Sequence, residues 1–179
     1  LQVKADRTVG SLVLVSSYTL ARARDMANYQ LPEDSRNIEA ERARADNDVR
    51  HNVTAGVTWQ LPSLGPAFAG WTLSATGQFR TNRPYTVFWG DDRNGTTQND
   101  ARPGDRNTGK TDGYRNIDLA LARRYPFGTR TLELRAEAFN ILSTTNYDEY
   151  VGALNSPFFG QPISAYPKRR LQFAGVVRF

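Results

Sequence analysis

Residues 71–80 read WTLSATGQFR. Trp71, Leu73, Ala75, Gly77 and Phe79 alternate strictly with Thr72, Ser74, Thr76, Gln78 and Arg80. A period of two sends the two sets to opposite faces of a β-strand, one apolar and one polar. The pattern recurs on both sides of this stretch. In 48–61, DVRHNVTAGVTWQL, the residues Val49, Val53, Ala55, Val57, Trp59 and Leu61 stand against Arg50, Asn52, Thr54, Thr58 and Gln60. In TLELRAEA, Leu132, Leu134, Ala136 and Ala138 stand against Thr131, Glu133, Arg135 and Glu137. The last stretch, RRLQFAGVVRF, sets Leu171, Phe173, Gly175, Val177 and Phe179 against Arg170, Gln172, Ala174, Val176 and Arg178.

Working outward, the alternation predicts an all-β chain of about seven strands, at 1–8, 11–24, 48–61, 71–88, 114–125, 130–144 and 168–179. The connections alternate in length. Those at 8–10, 62–70 and 126–129 are short; those at 25–47, 89–113 and 145–167 are long, polar and rich in Asp, Asn, Arg and Gly. Such alternation places all turns at one end and all long loops at the other. It predicts an antiparallel up-and-down meander, as in transmembrane β-barrels. Residues 34–47, DSRNIEAERARADN, hold good helix formers but almost no apolar face, so the expectation there is at most a solvated helical turn in a loop.

Bulk composition narrows the rest. With 179 residues, 39% hydrophobic and 23% charged, the chain can build an ordered domain. The net charge of +5 is carried almost wholly by arginine, the lysines being Lys4, Lys110 and Lys168. The arginines are scattered rather than gathered into a stripe with stacking aromatics, so nucleic acid is not the expected partner. No cysteine is present and His51 is the sole histidine. Neither a thiolate metal site nor a Ser/His/Asp or Cys/His catalytic set can be assembled. The expectation is a non-enzyme with no cofactor and no metal.

Alternating strands fit a soluble sandwich, with the apolar face as core, or a membrane barrel, with the apolar face in lipid. Three features favour the barrel. Large charges, Arg50, Arg80, Glu133, Arg135 and Glu137, fall at polar-face positions. Aromatic residues gather near strand ends: Trp59, Trp71, Tyr125, Phe127 and Phe179 by the short turns, Tyr85, Phe88, Trp89 and Tyr114 by a long loop. Two girdles of this kind mark the two membrane interfaces. The stretch 71–88 also exceeds the usual globular strand length. In this reading Phe179 sits in the interface belt, and the alternating start at LQVKADRT is that of a segment cut from something longer.

Four stretches carry a resemblance: DVRHNVTAGVTWQLP, GWTLSATGQFRTNRPYTV, NIDLALARRYPFGTRTLELRAEAFNILSTTNY and PKRRLQFAGVVRF. Together they resemble the C-terminal barrel segment of TonB-dependent outer-membrane receptors, of the large kind that often carries a carboxypeptidase-regulatory-like N-terminal domain. The resemblance implies that residues 1–179 form part of a 22-stranded type of barrel. A plug and the remaining strands then belong to the same receptor outside this segment. It implies outer-membrane lipid as surroundings, in a Gram-negative-type bacterium, and coupling to TonB through the plug. It also implies recognition by the barrel-assembly machinery through the closing strand, with Phe173 and Phe179 as its signal. A small structural or passive-pore barrel and a soluble sandwich module are the alternatives.

For ligand contact in the long loops the candidates are Trp89, Asp91, Asp92, Asn94, Tyr147, Tyr150, Phe158 and Phe159. The lumen-facing candidates are Arg50, Gln78, Arg80, Glu133, Arg135 and Glu137. The loop GDDRNGTTQND (90–100) partly matches a calcium loop. Gly90 replaces the first ligand and Ala101 the twelfth, so a polar loop is the expectation. A looser cation site would use Asp91, Asp92, Asn94 and Asp100. GDRNTGK (104–110) lacks the spacing of a phosphate loop.

Overall fold

The computed structural model describes residues 1–26, 32–62, 65, 69–97 and 101–179. Its strands are β1 (Gln2–Val9), β2 (Leu12–Leu20), β3 (Arg24–Asp25), β4 (Ala43–Arg44), β5 (His51–Gln60), β6 (Trp71–Arg80), β7 (Pro84–Tyr85), β8 (Gly109–Lys110), β9 (Tyr114–Phe127), β10 (Arg130–Phe139) and β11 (Arg170–Arg178). Seven of them form one antiparallel sheet in the order β1-β2-β5-β6-β9-β10-β11. Every neighbour in that order is also the next long strand along the chain, so the sheet is an up-and-down meander without crossovers. It is not closed, since β1 and β11 lie at opposite edges. The two-residue strands form separate ribbons in the long loops, β3 with β4 and β7 with β8.

Register carries the sequence alternation across the whole sheet. Val53 pairs with Phe79, Trp59 with Leu73, Leu73 with Leu121, and Ala136 with both Leu121 and Phe173. One face is therefore apolar from β2 to β11. A slip of one residue at any pair would move a strand's apolar set to the other face. The opposite face pairs Gln78 with Thr54, Glu133 with Arg124, and Glu137 with Gln172. Among the described residues no second sheet covers the apolar face: Leu73, Phe79, Leu134 and Phe173 are exposed. Among the described residues no large side chain is fully buried. The soluble sandwich is thereby set aside.

Tight turns join the strands at one end. Gly10 has φ 58° and Gly128 has φ 59°, each the first residue of a two-residue connection. That left-handed conformation is open to glycine and matches the strand twist.

Several strand bounds differ from expectation. The stretch 71–88 ends as a strand at Arg80, where its ladders with β5 and β9 close on the pairs with Asn52 and Tyr114. Pro84 and Tyr85 turn off into a loop ribbon; at 10 residues β6, like the 14-residue β9, is still longer than the usual globular strand and long enough to cross a bilayer. The strand at 130–144 stops at Phe139, where Asn140 and Ser143 take φ 50° and 54° and end the extended run. The stretch 11–24 stops at Leu20, and 48–61 begins at His51, leaving Val49 and Arg50 outside the strand. The strand at 114–125 instead runs on to Phe127 through Pro126. Its partner β6 reaches only Arg123, so the missing N–H of Pro126 costs no rung on that side.

Residues 34–47 hold one short 3₁₀ turn, Ile38–Glu41. It is not solvated throughout, because Glu41, Ala43 and Ala45 are buried.

If the apolar face meets lipid, Leu134→Arg should cost about 2–4 kcal/mol at mid-depth. Gln172→Arg, on the polar face, should fold as wild type. The fraction of heat-modifiable, protease-resistant protein recovered from membranes measures both.

The candidate ligand site in the long-loop layer

All three long loops emerge at one end of the sheet, and the side chains buried there are mostly polar. Glu41, Asp48, Arg106, Asn107 and Asn146 are each at most 4% exposed, and a group so buried must be partnered. Arg102 Nη2 donates to Glu41 Oε1 at 2.6 Å. Arg106 donates from Nη2 to the Glu41 carbonyl at 3.0 Å and to Asp25 Oδ1 at 2.5 Å. Its Nε lies 3.4 Å from Glu41 Oε2. Asn107 Nδ2 donates to the Arg44 carbonyl and to Asp46 Oδ1, both at 2.7 Å, and its Oδ1 accepts from Thr86 Oγ1. Residues 102–107 of the second long loop are thus pinned to the first.

The third loop is pinned in its turn. Arg83 and Asp148 form an ion pair. The rings of Tyr85 and Tyr150 stack with centroids 5.6 Å apart, and Tyr147 meets Tyr150 edge-on at 6.4 Å. The amide of Phe88 donates to the Gly152 carbonyl, and that of Leu154 to the Phe88 carbonyl. Two buried asparagines join this loop to the strands. Asn146 donates to the Arg115 carbonyl and accepts from the Arg115 amide, both at 2.8 Å, closing the start of β9 as a neighbouring strand would. Asn140 holds the turn after β10 through the amide and carbonyl of Thr144.

Between these loops lies an open cavity of about 630 Å³. Tyr85, Tyr150, Phe88 and Ile163 supply apolar lining; Arg83, Asp46, Asp148 and Glu149 supply charge. Its size is that of a small-molecule site.

The sequence candidates divide among three situations. Tyr150 lines the cavity. Trp89 is covered by the Arg93 guanidinium, 4.0 Å from the ring centroid, and Asp91 pairs with the same arginine at 2.9 Å. Asp92 accepts from the amides of Thr96 and Thr97, and Asn94 Oδ1 from Thr96 Oγ1. The loop at 90–97 therefore closes on itself. The cation reading loses support, since these polar atoms are engaged inside the loop; Asp100 lies outside the described residues. Tyr147, Phe158 and Phe159 remain exposed at the surface of the layer.

On the polar face Glu133 accepts from Arg124 Nε at 2.9 Å and from Arg135 Nη2 at 2.7 Å, and Arg135 also pairs with Glu137. Gln78 donates to Asn52. Arg80 is held rather than open: its guanidinium lies 4.3 Å above the Tyr114 ring and donates to the Tyr166 hydroxyl at 3.1 Å. Arg50 is exposed ahead of β5, its guanidinium 3.4 Å from the Ala21 carbonyl.

One aromatic girdle holds and the other does not. Trp59, Trp71, Tyr125 and Phe127 all fall on the apolar face at the turn end, with Phe179 following β11. Arg123 sits between Trp71 and Tyr125, and Arg130 over the Phe179 ring at 5.0 Å. Of the other four, Tyr85, Phe88 and Trp89 belong to the loop layer and Tyr114 to the polar face. The long-loop end of the apolar face instead carries Phe79 and Tyr18, the latter bonded to His51 Nδ1 at 2.8 Å.

An open sheet with one bare apolar face, one ion-paired face, and turns opposite long loops is the pattern of a membrane barrel wall. The outer membrane beta barrel domain matches residues 1–111 and 104–172. The chain belongs to this outer-membrane β-barrel family. No curated protein matches it. In this family setting the apolar face is the lipid surface. The residues missed from the sequence, Glu41, Arg102, Arg106, Asn140 and Asn146, are ordinary polar loop residues there. Only the FNILSTTNY stretch marked two of them.

Burial pushes the Glu41 carboxyl up, but the Arg102 hydrogen bond, the Glu33 amide and the two guanidinium charges outweigh it and hold the carboxyl below its ordinary value. Asp48 is lowered likewise, burial being outweighed by the Ala23 amide and Arg44. A carboxyl lowered by folding stabilises above its unfolded pKa, and that contribution fades as pH falls through the folded value. Acidification below the ordinary carboxylate range should therefore loosen the loop layer. A spin label on Gly104→Cys, an exposed position in a cysteine-free chain, should gain mobility there. Glu41→Ala should lose about 3–5 kcal/mol of this lock and give a mobile label already at neutral pH.

Proposed function

We propose that the chain is barrel wall and ligand-gathering mouth of a TonB-dependent receptor in the outer membrane of a Gram-negative-type bacterium. The observation that carries this reading is the locked loop layer with its cavity, standing at the end of a face lined by paired charges. A passive pore needs an open mouth. Here two loops are tied by buried guanidinium–carboxylate contacts and the third by the Arg83–Asp148 pair, stacked tyrosines and backbone hydrogen bonds, as suits a site that must keep its shape while it captures a scarce nutrient. The motif stretches at 71–88 and 116–147 support the same reading. Glu133, Arg135, Glu137 and Gln78 then line the lumen, beside a plug supplied by the rest of the receptor. Tyr147, Tyr150, Phe158 and Phe159 are the ligand-contact residues, while Trp89, Asp91, Asp92 and Asn94 shape their own loop.

Nutrient accumulation should depend on both the receptor and TonB. Uptake profiles of cells lacking either one should lose the same nutrient. Accumulation that persists without TonB, at a rate linear in external concentration, would make the barrel a passive pore instead.

The closing strand gives a second test. Arg130 and the turn-end belt hold the Phe179 ring where an interface aromatic is favoured. As part of the assembly signal, with Phe173, the ring itself should matter. Phe179→Leu keeps most of the apolar area, yet it should raise the protease-sensitive fraction in the periplasm. Wild-type assembly of both Phe179→Leu and a Phe179 deletion would leave Phe179 only a lipid contact.

A further inference from the structure

The lipid face is not uniform. At its long-loop end a notch of about 380 Å³ opens where β6 and β9 part, beside His51, Phe79, Asn82 and Arg115. Below it, on the same face, runs a furrow of about 430 Å³ floored by Ala55, Ala75 and Gly77 and walled by Val57 and Ile117. Phe79 borders both. Its ring folds back over Gly77, where a Cβ would lie 3.2 Å from Phe79 Cε2. From Ala75 to Phe79 the strand rises about 13 Å, a little under half of a hydrocarbon core about 30 Å thick.

Charge distinguishes the notch from the furrow. Arg115 pairs with Phe79 across the register, so it stands on the lipid face, and it is exposed. Its backbone is fixed by Asn146. Most of the loop arginines, such as Arg44, Arg83, Arg102 and Arg106, are ion-paired. Among the described residues, the guanidinium of Arg115 and the amide of Asn82 have no ion-pair or hydrogen-bond partner. No acidic residue lines the notch. A lone guanidinium beside hydrocarbon is favoured only where an anion or water meets it.

We propose that this groove holds one lipid with an anionic phosphate headgroup, from the leaflet on the long-loop side. The phosphate meets Arg115 and Asn82, and one acyl chain lies along the furrow. The site needs only that the apolar face is the lipid surface, and is independent of the uptake reading.

The test uses the full-length protein that carries this chain, delipidated in detergent and titrated with phosphatidylglycerol or with phosphatidylcholine of identical chains. Native mass spectrometry counts the bound lipids. One phosphatidylglycerol should be retained, roughly fivefold more tightly than phosphatidylcholine. Arg115→Gln with Asn82→Ala should reduce it to the phosphatidylcholine level, and Arg115→Lys should preserve it. Ala75→Leu, which fills the furrow, should weaken both lipids. Heat-shifted electrophoretic mobility checks that each variant is folded. Equal retention of the two lipids by the wild type would mean ordinary solvation of the face and overturn the proposal, whatever the variants do. Undiminished phosphatidylglycerol on the folded double variant would overturn it too, as would a two-chain species that excludes lipid.

Discussion

In hydrocarbon a strand's backbone has no water to bond, so its N–H and C=O groups must be met by a neighbouring strand. The rest of this structure depends on that constraint. β5, β6, β9 and β10 are each paired along both edges over nine or more residues. Pairing at this density sets the register, and the register sets both faces at once. It also forces the chain to change direction outside the sheet, in glycine turns at one end and long loops at the other. The strands end where their ladders end, and β6 stops at Arg80, where Thr81 and Arg83 also break its apolar set.

Outside the sheet the physics reverses. The loop layer has little apolar material to bury: among the described residues, Ala43, Ala45 and Ala101 are its buried hydrophobic members. It is ordered instead by charges withdrawn from water and matched in a shared network, Glu41 lying between Arg102 and Arg106. Such pairs add little net stability over apolar packing, but losing one partner leaves an uncompensated buried charge. They therefore specify one arrangement strongly. A loop layer built this way holds its cavity in one shape. Asn140 and Asn146 extend the principle to the junction, standing in for strand partners where the sheet runs out.

The turn-end belt joins the two regimes. Trp59, Trp71, Tyr125 and Phe127 place apolar rings toward lipid while their polar edges and the nearby Arg123 and Arg130 reach the headgroup level. The long-loop end has Tyr18, His51, Phe79 and Arg115 in the equivalent place, an edge sparser in aromatic rings. The two rims of one face are thus chemically unequal.

The sequence by itself determined the class of the fold, the meander, and which residues share a face. A period of two is a local property of the chain and needs no knowledge of partners. Leu73, Phe79, Leu134 and Phe173 lie where alternation put them, and so do Gln78, Glu133 and Arg135. What only the tertiary structure decided was where each strand ends and what the loop residues do. Tyr85, Phe88 and Trp89 read as a girdle because they follow an alternating stretch; the absence of a partner strand sends them into the loop layer. Trp89, Asp91, Asp92 and Asn94 read as ligand groups because their chemistry is right, yet their partners Arg93, Thr96 and Thr97 are already beside them. Glu41, Arg102 and Arg106 gave no signal, because a buried ion pair spanning some sixty residues leaves no periodicity in the chain. Alternation is written in neighbours, whereas burial of charge is decided by which loops the sheet brings together.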